Sequence, residues 1–87
     1  MYCIVLDNCC CEPSIKMEFT FDKEIFIEVV AVANRGFRSI QITDADTGEV
    51  VYSRYVSDQH FHLHSTYQSV GDCVNDLCKY ARYKKGV

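Results

Sequence analysis

Three histidines stand at alternate positions in "DQHFHLHST": His60, His62 and His64. Imidazole is the commonest nitrogen ligand for zinc, so this spacing raises a metal site first. In an extended strand the three rings share one face, and Phe61 and Leu63 take the other. Neighbouring histidines then lie about 7 Å apart at Cα and the outer pair about 13 Å apart. Two of them can converge on one ion, but all three cannot unless the segment bends. A closed zinc site also needs further ligands, usually cysteines in close pairs. The simpler reading packs Phe61 and Leu63 inward and leaves the rings on a solvent or partner face. Such a face would gain charge below about pH 6.5. The metal alternative combines His60, His62 or His64 with the loop cysteines.

Six cysteines supply the other reactive groups: Cys3, Cys9, Cys10, Cys11, Cys73 and Cys78. No C-x-x-C pair occurs. Cys73 and Cys78, five apart on an expected helix, point about 140° away from each other. Adjacent cysteines such as Cys9, Cys10 and Cys11 rarely bridge one another. Cys3 suits a buried strand position, and Cys73 and Cys78 should border the core of the last helix. We therefore read the cysteines as free thiols in a reducing compartment. A cysteine–histidine catalytic pair requires the "CCC" loop to meet the histidine segment, and nothing in the sequence demands that.

"DADTG", Asp44 to Gly48, resembles the start of a calcium loop only superficially. Its fifth residue is Gly48 and its twelfth is Tyr55, where such a loop wants an acidic or amide residue and a glutamate. A hairpin turn explains it, with Gly48 taking positive φ. "KYARYKK", Lys79 to Lys85, interleaves cations with aromatic rings. That pattern suits stacked bases and phosphates, but it equally suits a helix end whose cations complement the dipole. Arg35, Arg38 and Arg54 are candidates for extending the same basic area. No phosphate loop, nucleophile elbow or dinucleotide fingerprint is present, so we expect no enzyme and no cofactor.

The elements that must position these groups follow from periodicity. Residues 2–6 read as a short apolar strand. "IKMEFTF", residues 15–21, alternates apolar and polar positions and reads as a half-buried strand. Asp22 is a candidate N-cap for a helix over Lys23–Asn34. Its stripe is Ile25, Val29, Val32 and Ala33, and Gly36 is placed to take a left-handed C′ position. "FRSIQIT" and "EVVYSRYV" form a hairpin around the turn. Residues 56–65 read as strand or loop. A last helix from Thr66 carries Val70, Val74, Leu77 and Ala81 and runs into the basic tail. The expected class is α+β, in the order β-β-α-β-β-α. A single, mostly antiparallel sheet of about four strands carries two helices on one face.

Eighty-seven residues, 48% hydrophobic and 24% charged, make one globular domain. Met1 runs directly into "MYCIVLD", with no basic segment before a short apolar run, and no stretch reaches the length of a membrane span. These features read as a cytoplasmic chain with no membrane partner. The net charge of −3 opposes general nucleic-acid binding. Six tyrosines in so small a domain cannot all be central. The expected contact residues are Tyr52, Arg54, Tyr55, Tyr80, Arg82 and Tyr83, because Tyr and Arg carry binding energy at interfaces. The leading expectation is thus a small non-enzymatic interaction protein, engaging a larger protein or a second copy of itself. Its size also fits a phage or mobile-element inhibitor or regulator. The alternatives are a nucleic-acid accessory using the basic C-terminal helix and the zinc module.

Overall fold

The computed structural model describes residues 1–8, 15–55 and 70–83. His60, His62, His64, Cys9, Cys10, Cys11, Lys84 and Lys85 lie outside the described residues, as does the segment 56–65. The elements are β1 (Tyr2–Asn8), β2 (Ile15–Phe21), a 3-10 turn (Lys23–Ile25), α1 (Phe26–Gly36), β3 (Ser39–Asp44), β4 (Val50–Tyr55), α2 (Val70–Leu77) and β5 (Arg82–Tyr83). The α+β class and the element order are those expected. One antiparallel sheet has the order β4-β3-β1-β2-β5.

Period-two patterning drives the sheet. On β1, Ile4 lies opposite Phe19 of β2 on one side and Ile42 of β3 on the other. Leu6 lies likewise between Met17 and Ile40. Ile4, Leu6, Phe19 and Ile42 are fully buried, because these rows face the helices. α1 adds Val29, Val32 and Ala33 to this core, and α2 adds Cys73 and Leu77. The β-branched run in α1 stays helical because its apolar stripe, spaced i, i+3, i+4, is what the sheet can cover. β2 and β3 both run antiparallel to β1 and flank it, so they are parallel to each other with β1 between them.

The structure corrects several local expectations. The sheet has five strands rather than about four. The last helix stops at Leu77 and does not continue into the basic tail. Tight turn bonds follow, from the Tyr80 and Ala81 amides to the Leu77 carbonyl at 2.9 and 2.8 Å. Ala81 is buried as the helix spacing implied, but it sits in the turn. Arg82 and Tyr83 then pair with Thr20 and Phe19 on the rim of β2. An open strand edge satisfies their backbone groups better than a frayed helix end exposed to water. The basic C-terminal helix therefore does not exist over the described residues.

Asp22 sits in extended conformation before the first turn, but its side chain makes no capping bond. Gly36 is the last residue of α1 rather than a left-handed terminator, and Phe37 leaves in extended geometry. Phe37 is fully buried beneath the sheet's start rather than lying within β3. Among the described residues only Gly48 has positive φ, at 77°. Around it, the Gly48 amide donates to the Asp44 carbonyl at 2.7 Å and the Asp46 amide to Asp44 Oδ1 at 2.8 Å. The hairpin turn is thus built as its Asp and Gly imply. Among the described residues, no helix is long and apolar enough to cross a membrane.

Candidate interaction surface

The six candidate contact residues fall at opposite rims of the sheet. Tyr52, Arg54 and Tyr55 lie on β4, while Arg82 and Tyr83 lie on β5 and Tyr80 just before it. Four strand spacings separate the two rims, about 19 Å. The structure therefore makes two small Tyr/Arg groups and not one patch.

On β4 the side chains divide between faces. Tyr52 pairs with Ile42 and Arg54 with Ile40, so both lean to the helix side. The Tyr52 ring meets Phe26 edge-on at 6.0 Å, and its hydroxyl accepts a bond from Asn34 Nδ2 at 3.3 Å. Tyr52 is thereby half core and half surface. Ser53 and Tyr55 turn to the far face. Tyr55 is 64% exposed, with the Arg38 guanidinium 5.8 Å from its ring centre. Arg38 itself is 2% exposed. It cannot extend a basic surface with Arg35 and Arg54, as its position in the sequence suggested.

A register shift interrupts the hairpin between Ile42 and Thr43. Thr43 pairs with Val50, and Val51 is the inserted residue. A bulge of this kind brings consecutive side chains toward one face. Val50 and Val51 are accordingly both exposed, at 48% and 39%. Together with Tyr55 they give the β4 rim an apolar character that Tyr and Arg counting did not find. The signal was present in "EVVYSRYV", where two adjacent valines break strict alternation.

No family model, curated protein or solved structure matches this chain. Its chemistry therefore rests on its own geometry.

At the opposite rim, Tyr83 is 52% exposed and stands edge-on to Phe19 at 5.5 Å. A shallow cleft there is lined by Met1, Thr20, Phe21, Asp22, Tyr80 and Arg82. The Lys79 ammonium is already held by Asp76, at 3.2 Å.

Two of the three described thiols are buried. Cys3 is buried as expected, and its thiol donates to Glu18 Oε1 at 2.8 Å. Cys73 is fully buried, and its thiol donates to the Val32 carbonyl at 3.4 Å, joining α2 to α1. Burial, helped by the nearby Asp76 carboxylate, pushes the Cys73 thiol up to about 12, so it stays protonated and unreactive. Cys78 is exposed rather than at the core border, because it falls beyond the last turn of α2. Among the described residues no three His, Cys, Asp or Glu side chains gather at one point.

One charged group has a built environment. The Asp46 amide, bonded to the Asp44 carboxylate, holds the Asp44 pKa below the ordinary carboxylate value, and Lys23 adds to this. Lys23 Nζ lies 3.2 Å from Asp44 Oδ2 and 5.4 Å from the Tyr2 ring centre. The hydrogen bond to Asp44 raises Lys23 in turn. This cluster clamps the turn to the start of α1, which is a structural task.

Proposed function

We propose that this protein acts by contact, as a small non-enzymatic interaction module whose working surface is the β4 rim. Its partner is a larger protein or a second copy of the same chain. The observation that carries the reading is an edge strand with three exposed apolar side chains: Val50, Val51 and Tyr55. Natural edges are usually blunted by lysine, proline or inward charge. β4 has neither lysine nor proline; Arg54 and the bulge at Val51 are its blunting features, and the outward groups of Ser53 and Tyr55 past the bulge are suited to strand addition.

The nucleic-acid alternative loses support from two placements. Its basic helix ends before Lys79, and Arg38 is buried.

The reading is tested by capturing partners from the native source and measuring affinity for the recovered protein. Val51→Lys and Tyr55→Ser should each weaken that affinity about tenfold or more, equivalent to about 1.4 kcal/mol. Thermal stability should stay within about 0.5 kcal/mol of wild type, as for ordinary surface changes. Affinity indifferent to both substitutions would remove the β4 rim as the working surface. A steep loss of affinity with added salt would point to nucleic acid instead.

A further inference from the structure

The β4 rim carries a self-complementary pattern. The Asp44 amide donates toward β4, to the Glu49 carbonyl at 2.8 Å. The next amide, Ala45, donates to the other side, to the Met1 carbonyl at 3.0 Å. Backbone groups alternate sides along a strand, so Ile42 and Ile40 also direct theirs toward β4. Their partners Tyr52 and Arg54 therefore bond inward. The N–H and C=O groups of Ser53 and Tyr55 point outward, away from the sheet.

Two copies of β4 related by a two-fold axis must pair antiparallel, with same-face residues opposed. An axis through Arg54 would set two guanidinium groups directly opposite, which is destabilising. An axis through Tyr52, whose own backbone groups bond inward, would put every bridging bond between Ser53 and the inserted Val51. An axis through Ser53 centres the ladder on Tyr52, Ser53 and Arg54, which lie past the bulge in regular register, and leaves the inserted Val51 at its end. At the ladder's two ends it brings the exposed Val51 of one copy near the exposed Tyr55 of the other. On the helix-covered face it sets Tyr52 against Arg54 of the second copy, a ring beside a cation.

Resting on the reading of the β4 rim as the contact surface, we propose that the chain pairs with a second copy of itself. The two β4 strands run antiparallel with Ser53 on the two-fold axis, and two five-stranded sheets become one continuous layer. Each Ser53 exchanges both its backbone bonds with its counterpart.

The test is sedimentation of the full-length chain across a wide concentration series. The mass should rise from 10.0 kDa toward twice that value. Ser53→Pro removes an outward N–H that β3 does not use, and edge strands tolerate such a proline. This variant should stay monomeric and melt as wild type does at its lowest concentration. In a second variant, Ser53→Cys, mild oxidation should join two chains through a disulfide mapped to position 53, since opposed strand residues lie within bridging distance. The second variant keeps the proposal testable if the proline variant does not fold. Wild-type chain that remains at 10.0 kDa at its highest concentration overturns self-pairing. So does a dimer that survives Ser53→Pro and gives no bridge at position 53. If the chain is monomeric while Val51→Lys still abolishes capture of another protein, self-pairing fails and the contact reading stands.

Discussion

Single residues with unusual surroundings set the first predictions. Asp44 accepts an amide bond and an ammonium contact in the fold, and neither survives unfolding. Its pKa in the folded chain lies below the ordinary value of 3.8. A group depressed in this way stabilises the fold above its ordinary value, and that contribution is lost as pH falls through the folded value. Asp44→Asn should therefore melt earlier than wild type at neutral pH. The gap should close as pH drops below 3.8, read from melts down a pH series. A gap independent of pH would mean that the carboxylate charge is irrelevant. The thiols of Cys73 and Cys78 should differ sharply. Cys78, exposed, should alkylate in the native protein, while Cys73 should react only on unfolding, because the thiolate is the reactive form. Peptide mapping after brief alkylation measures this, and equal labelling of both would contradict the burial of Cys73.

At the scale of elements, the β3–β4 hairpin depends on one backbone conformation. Gly48 has φ 77°, and a Cβ there would meet no atom within 4 Å. Any cost of Gly48→Ala is thus conformational rather than steric. It should be about 1–2 kcal/mol, the penalty for an L side chain in the left-handed region, with only a small change in denaturant slope. Unchanged stability would show that the turn relaxes into another type. The α1–α2 seam depends on side-chain burial. Leu77→Ala should cost about 2–5 kcal/mol, since Leu77 is fully buried in the shared core. A loss below about 1 kcal/mol, seen by denaturant titration, would place α2 outside the cooperative unit.

For the whole molecule, Phe19 ties the centre of the sheet to its β5 rim. It is fully buried, sits opposite Ile4 on β1 and Tyr83 on β5, and stacks edge-on with Tyr83. Phe19→Ala should cost about 3–5 kcal/mol. That is a large share of the roughly 5–15 kcal/mol available to a domain, so the variant should show a markedly lowered melting temperature and a partly unfolded population. A melt within a few degrees of wild type would contradict a single shared core.

The legible parts of this fold are those governed by neighbours in the chain. Alternation in "IKMEFTF", the α1 stripe of Val29, Val32 and Ala33, and the Asp–Gly turn at 44–48 each express a local period or a local backbone need. Side-chain direction repeats along a strand or helix, so such patterns survive in one dimension. Tertiary structure decided what depends on distant partners. Val70, Val74, Leu77 and Ala81 carry one helical period, yet only the vacant rim of β2 turns Arg82 and Tyr83 into a strand. Arg38 is written among surface residues, yet Tyr55 arrives from β4 to cover it. The candidate tyrosines and arginines are separated because strand order places β4 and β5 at opposite edges. Strand order is set by which apolar faces and backbone edges find each other across the folded molecule, and no local period encodes that.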